Sequence, residues 1–377
     1  MHDKGAILGG QTIVGTCVRS QMTPGSSNRR AKVAKCFVGM SILAGLLAAQ
    51  PIDPAIADIP ADNGAVVIMY HRFGESDLPS TNIRLDQFEA HIAELTSGPY
   101  TVLPVPEIVA ALNENRPLPK RAVGITIDDA FASVYTEAWP RLRAANLPFT
   151  LFIATGAIDR GLRGYMTWDQ IREMVAGGGV TLGRHGVDHG HMVAQSAEAT
   201  RAELVAGASR FQEEFGKTPT IFAYPYGEYG LALRNIVTQT GVTAAFGQQS
   251  GAIARSGDRF ALPRYPFNET YGDMDRFRLA VNSLPLPVRD ITPADTLVRT
   301  ASNPPSFGFT VDESVSGVKS LNCFASTGES SLDRLGERRI EIRLTQPLKP
   351  GRARINCTMP GPEGRWRWFG TQFYMLP

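Results

Sequence analysis

Cysteine, long apolar runs and charge of one sign are all scarce in this chain of 377 residues. Its 38 Lys and Arg face 36 Asp and Glu, so the formal charge is only +2. Residues 1–57 hold six of the basic and two of the acidic residues, which leaves the remainder near neutral. Such a balance offers no basic face and excludes nucleic acid as the expected partner. No low-complexity tract interrupts the chain, and 43% apolar with 20% charged residues is a globular composition. The most apolar stretch, Cys36 to Ala49, is too short to span a bilayer comfortably. The length exceeds one ordinary domain and fits a barrel-sized domain joined to a smaller module.

That apolar stretch has the flanks of an export signal. Arg29-Arg30-Ala31-Lys32-Val33-Ala34-Lys35 is a basic segment before it. Small residues at Ala55 and Ala57 suit signal peptidase, so residues 1–57 are expected to be a signal peptide cleaved after Ala57. An uncleaved anchor is the alternative. The surroundings of Arg29-Arg30 fit a twin-arginine signal poorly, which favours ordinary export, and Met22 offers a second start. The mature chain is then periplasmic or extracellular, with no stable membrane insertion. Cys17 and Cys36 leave with the leader, and Cys323 and Cys357 remain. An oxidising compartment lets them pair. A loop of that size stabilises its domain by about 3–4 kcal/mol. The alternative is a pair of buried free thiols.

Downstream of the leader the pattern is α/β. Ala65–Tyr70, Val123–Ile127, Pro148–Ala154, Val180–Gly183, Ile221–Tyr224 and Val242–Phe246 read as strands, the first two as continuous apolar runs buried on both faces. Helical spacing lies between them at Leu85–Leu95, Pro106–Asn113, Ala132–Ala145 and Ser196–Phe215. Thr167-Trp168-Asp169-Gln170 reads as a capping box. This alternation indicates a parallel barrel or a doubly wound sheet. From about Ile291 short β-like runs between Gly, Pro and Asn predict a small β-sandwich. Domain bounds of 58–285 and 286–377 follow, with the linker over Asn282–Asp290.

Three segments that follow strand-like runs carry the chemistry, where an α/β barrel places its active-site loops. Ile125-Thr126-Ile127-Asp128-Asp129 closes a buried strand with two carboxylates. Adjacent like charges are costly unless a cation or a shared proton intervenes. A plain strand-end turn or helix N-cap is the other reading. Gly183-Arg184-His185-Gly186-Val187-Asp188-His189-Gly190-His191 gathers three of the six histidines. His185 and His189 are four apart, so one turn brings both imidazoles to one side. With Asp129 they form two nitrogens and one oxygen, three ligands beside an open position, which is the pattern of a catalytic zinc site. Asp188 is placed to orient one ligand, and His191 is left between the groove wall and the exposed surface. Phe222-Ala223-Tyr224-Pro225-Tyr226-Gly227-Glu228 by itself reads as a packed turn.

Asp128-Asp129, His185-x-x-x-His189 and Pro225-Tyr226-Gly227 resemble, in order, the leading motifs of the polysaccharide deacetylase family, carbohydrate esterase family four. Met69-Tyr70-His71-Arg72-Phe73 is similar to the opening of the subgroup that deacetylates poly-N-acetylglucosamine in exported polysaccharides. The resemblance covers roughly residues 65–270 and is specific as a set. It implies a distorted (β/α) barrel, a divalent metal and removal of acetyl groups. By the same resemblance Asp129, His185 and His189 hold the metal, Zn2+ being the first expectation, and Asp128 is the general base. The Tyr226 backbone N–H helps stabilise the oxyanion, and His71 is the acid. A hydrogen-bonded strand-end histidine is the other reading of His71.

The chain departs from the family pattern at three places. Ala130 stands where the first motif ends in Gly. Ala223 stands where the third begins with the Arg that tethers the catalytic Asp, and Arg264 in Leu262-Pro263-Arg264-Tyr265 is the candidate substitute. No His follows His191, which removes the late Leu-x-His motif and turns attention to His71. Tyr70, Trp168, Tyr224 and Pro225 lie beside the motifs and are expected to line the sugar groove, packing at a helix start being the other reading of Trp168. The function expected is hydrolysis of N-acetyl groups on a GlcNAc-containing polysaccharide. Peptidoglycan, chitin-like oligomers and O-acetyl esters are alternative substrates. A non-catalytic carbohydrate-binding or matrix-assembly protein is the alternative from another class.

Overall fold

The computed structural model describes Pro60 and residues 62–376, so the expected leader lies outside the described residues. Seven parallel strands follow one another around a barrel: β1 (Ala65–Tyr70), β2 (Ala122–Asp128), β3 (Phe149–Ile153), β4 (Val180–Arg184), β5 (Ile221–Ala223), β6 (Ala244–Phe246) and β7 (Tyr265–Pro266). Every residue of β1 and β2 is buried, as a sheet covered on both faces requires. The segment running into β7 closes the ring. Leu262 bridges Phe246 of β6, and three residues later Tyr265 pairs with Ile68 of β1. The fold is a distorted (β/α) barrel of the deacetylase type.

The helices are α1 (Leu85–Ser97), α2 (Val105–Asn113), α3 (Trp139–Ala144), α4 (Thr155–Asp159), α5 (Trp168–Ala176), α6 (Ala197–Phe215), α7 (Leu231–Val237) and α8 (Met274–Val281). Their ends follow capping chemistry. Thr167 accepts from the Gln170 N–H while Gln170 reaches back, a complete capping box for α5. Ser196 accepts from the Ala199 N–H at 3.1 Å, and Gly216 closes α6 at φ +67°. The helix read over Ala132–Ala145 differs: Val134–Ala138 is a wider π-turn, and α3 begins only at Trp139. Among the described residues no helix is long and apolar enough to cross a membrane.

The C-terminal strands form two further sheets. One contains β8 (Val288–Thr292), β9 (Phe307–Val311), β11 (Ser330–Leu335) and β12 (Arg339–Leu344); the other contains β10 (Asn322–Ala325), β13 (Gly351–Pro360) and β14 (Trp366–Met375). Phe307, Phe309, Ile340, Ile342, Ile355, Met359 and Phe373 form the core of this domain. Cys323 and Cys357 face each other in register on β10 and β13 and are joined as a disulfide. The expected linker over 282–290 is instead structured. Leu284–Pro285 pairs with β14, and β8 begins at Val288, because an apolar Leu-Pro-Leu-Pro run is worth more paired and buried than solvated.

Candidate active site

Asp128 closes β2, while His71, Asp129, His185 and Tyr226 follow C-terminal strand ends, and the barrel gathers them at one mouth. Arg264 enters from the closing segment. Its guanidinium is fully buried and grips Asp128 with two hydrogen bonds, Nη1 to Oδ1 at 2.7 Å and Nη2 to Oδ2 at 2.8 Å. Nε donates to the Gly247 carbonyl at 2.9 Å and Nη1 also to Thr126 Oγ1 at 3.2 Å. The arginine missing at position 223 is thus supplied from 41 residues downstream, as the sequence candidate required. Burial alone would raise the Asp128 pKa. The Arg264 charge, with His185, outweighs it and holds this carboxyl below its ordinary range.

The three expected ligands converge. One atom each from Asp129, His185 and His189 lie within 4.8 Å of one another. Asp129 Oδ1 is 3.4 Å from His185 Nε2 and 3.0 Å from His189 Nε2. Asp129 Oδ1 and His185 Nε2 are buried without a well-formed hydrogen bond among the described residues. His185 Nδ1 lies 2.7 Å from the Ala223 carbonyl, an acceptor only, so Nδ1 carries the proton in the neutral ring and Nε2 presents its lone pair. A buried lone pair facing a buried carboxylate calls for a cation. Electrostatics agree: burial disfavours the protonated His185, yet the two aspartates raise its pKa, so the site draws positive charge. The residues present fit a divalent ion with an N2O donor set.

His71 stands beside this cluster, its Nε2 4.0 Å from Asp128 Oδ2. Burial lowers its pKa despite both aspartates. Tyr226 follows β5 in a left-handed conformation, φ +59°, with its ring 4.5 Å from that of His189. The histidine loop is held from α6, where Glu203 accepts the N–H of Val187 at 3.0 Å and of Asp188 at 3.2 Å.

Several expected roles are corrected. Tyr70 is 1% exposed, with its hydroxyl on His91 Nδ1 at 2.8 Å. Tyr224 is fully buried and donates to the Phe260 carbonyl at 3.0 Å. Trp168 packs edge-on against Phe211 and Phe215 and donates to Asp159, and Pro225 is buried inside its turn. All four side chains are buried rather than open to a groove. Each sits where a strand or helix begins or ends, and large apolar surface there goes into the core. Asp188 orients no ligand; its carboxylate is exposed and pairs with Arg160 at 2.6 Å. The aromatic residues at the mouth are Tyr226 and Tyr165, whose phenol pKa is raised by burial and by the Asp129 charge. Tyr165 lies in a loop before α5, far from any motif, and carries no sequence signal.

Comparison with known proteins agrees with this geometry. Residues 115–245 match the family model described as polysaccharide deacetylase, and this part of the chain is a polysaccharide deacetylase domain, a hydrolase by class. Over 230 residues the chain is 24% identical to the poly-beta-1,6-N-acetyl-D-glucosamine N-deacetylase of Staphylococcus aureus (strain MRSA252), covering 54% of this chain and 78% of that protein. The solved structure of IcaB from Ammonifex degensii is similar at a TM-score of 0.51 and 26% identity, over 59% of this chain and 97% of that one. The Streptococcus pyogenes deacetylase PplD shares the fold at a TM-score of 0.54 and 20% identity, over 58% and 98%.

Proposed function

We propose that this protein is an exported, metal-dependent hydrolase that removes N-acetyl groups from a GlcNAc-containing polysaccharide. The observation that carries the reading is the cluster of buried Asp129, buried His185 and half-buried His189, whose ligand atoms lie within 4.8 Å of one another, with Asp129 Oδ1 and His185 Nε2 unpartnered among the described residues. The name of the similar S. aureus protein supports the substrate class. The Cys323–Cys357 bridge supports an oxidising compartment.

Asp129, His185 and His189 would hold the ion, Zn2+ being favoured by two imidazoles and one carboxylate. Such an ion polarises a carbonyl and lowers the pKa of water, from near 16 to about 7 in the best-known case. Asp128 accepts a proton as water adds to the acetyl carbon. Its lowered pKa keeps it ionised and ready, and Arg264 fixes its direction. The Tyr226 N–H donates to the developing oxyanion. As the C–N bond breaks, His71 delivers a proton to the departing amine. Burial favours neutral His71, so the proton it delivers is gained during the reaction, its source being the water proton that Asp128 accepts. Acetate and a free amino sugar result. Ala223 spoke for a decayed, merely carbohydrate-binding family member, but Arg264 fills that role, so the catalytic reading is preferred.

Elemental analysis and acetate release test the proposal. The purified chain should hold roughly one divalent ion and release acetate from N-acetylglucosamine oligomers, and Asp129→Ala or His185→Ala should abolish both. Bound metal without acetate from any acetylated glycan refutes the hydrolase and favours the binding protein. Unchanged activity in His71→Ala removes the acid assignment alone.

A further inference from the structure

The turn that carries Tyr226 is held largely from outside its own domain. In the antiparallel pair of β13 and β14, Arg352 stands opposite Tyr374 and Arg354 opposite Gln372. Their alternate neighbours Ala353, Ile355, Phe373 and Met375 point into the C-terminal core, so the polar row faces the barrel. Gln372 is 2% exposed, and its single amide nitrogen donates to the Tyr226 carbonyl at 3.1 Å and the Gly227 carbonyl at 3.0 Å. Thr296 donates to the Tyr229 carbonyl, and Asp295 accepts the Leu231 N–H at 3.0 Å. The Tyr374 ring stacks on His191 at 5.8 Å, and His191 stacks on Tyr226 at 4.5 Å.

Buried backbone groups must find partners. Three carbonyls and one amide between Tyr226 and Leu231 find theirs in residues 295–372. The turn also needs an outside hold, because Tyr226 at φ +59° and Gly227 at φ +68° are both left-handed. A Cβ on Gly227 would fall 2.5 Å from the Gln248 backbone nitrogen, so the turn packs closely on Gln248 while its carbonyls bond to Gln372.

We propose that Gln372 is a positioning residue of the active site, and that the C-terminal β-domain thereby sets the direction of the Tyr226 N–H. The proposal rests on the deacetylase reading, which makes that N–H an oxyanion donor. By holding the carbonyls of Tyr226 and Gly227, Gln372 fixes the two peptide planes that follow the one carrying the Tyr226 N–H, and so limits how that residue can rotate. A displacement of about 1 Å at such a donor costs on the order of 100-fold in rate.

Gln372→Met keeps the length and removes both donors; Gln372→Glu replaces them with an acceptor that the two carbonyls repel. In both, kcat for acetate release should fall roughly 10- to 100-fold. KM and the divalent-ion content should stay near the parental values, since the three ligands ride on other loops. Amide hydrogen exchange at Tyr226 and Gly227 should accelerate. A purely structural role would lower the melting temperature and leave kcat per folded molecule unchanged, which is the behaviour expected of the control Cys323→Ser/Cys357→Ser. If Gln372→Met does not fold, Gln372→Asn, which withdraws the donor by one methylene, is read in the same way. Parental kcat with parental exchange overturns the proposal, as does loss of bound metal in step with activity. A parent that holds its ion yet releases no acetate from any glycan sinks the deacetylase reading instead, and exchange at the turn then decides the role of Gln372 alone.

Discussion

Replacing Arg264 by Met tests the electrostatic core of the site. Both partners of the Arg264–Asp128 pair are fully buried, and the pair has two bonds of 2.7 and 2.8 Å. The substitution fills similar volume but leaves a buried carboxylate without its counter-charge, and strips the Gly247 carbonyl of a donor. Removing one member of such a pair costs roughly 3–5 kcal/mol. With burial then unopposed by Arg264, the Asp128 pKa should climb, so less of the base is ionised near neutrality. Activity should fall by about 100-fold or more, the range ascribed to a positioned base. Urea unfolding of parent, Arg264→Met, Asp128→Asn and the double variant measures the coupling. The double variant should recover much of the loss, because it removes both charges at once. A cost below about 1 kcal/mol for Arg264→Met, or strict additivity in the cycle, refutes the reasoning.

Three further outcomes are expected. His91 is held neutral by burial, its pKa lowered to about 4, with Tyr70 on one nitrogen and the Gly272 carbonyl on the other. Below about pH 6.5 the unfolded chain binds a proton there that the folded chain refuses, so stability falls on acidification towards pH 4, at most by roughly 1.4 kcal/mol per pH unit. His91→Gln keeps a donor and an acceptor but does not titrate, and should flatten that part of the curve in urea unfolding at a series of pH values. Cys323→Ser/Cys357→Ser should lose about 3–4 kcal/mol from the C-terminal domain, seen as a lower thermal transition also reached by the parent under reducing conditions. Adding a divalent ion at about 100 times its Kd to chelator-treated protein should raise stability by about 2.7 kcal/mol, and Asp129→Ala should abolish the gain in a thermal scan.

The barrel was legible because parallel strands buried on both faces write themselves as uninterrupted apolar runs such as Ala65–Tyr70. The candidate cluster was legible because histidine is rare in this chain and three fall in one loop. Long-range partners were harder. Arg264 was reachable only through the gap at Ala223, which posed the question of what balances Asp128. Gln372 carried no such prompt: within Trp366–Met375 it is one polar residue on an alternating strand, and which neighbour it meets depends on how the two domains dock. The groove aromatics misled for a related reason. Adjacency in sequence puts Tyr70 and Tyr224 next to the motifs, but Tyr70 at the end of β1 and Tyr224 just past β5 both pack into the core.

Backbone conformation ties these threads together. Nine non-glycine residues among those described have positive φ, and four of them are Asp129, Ala130, His189 and Tyr226. The left-handed form costs an L-residue about 1–2 kcal/mol, so the site stores several kcal/mol that the rest of the fold must cover. It does so with specific anchors. The Asp129 N–H donates to Phe152 at 3.0 Å and the Ala130 carbonyl accepts from Met166 at 3.0 Å, fixing the first turn on both sides. Glu203 holds the histidine loop, and Gln372 holds the Tyr226 turn. A glycine at 130 would relieve part of the strain but would widen the conformations open to Asp128 and Asp129. Alanine, fully buried there, restricts the pair at the expense of stability, and that exchange makes sense only if the direction of those two carboxylates matters more to the protein than the energy it gives up.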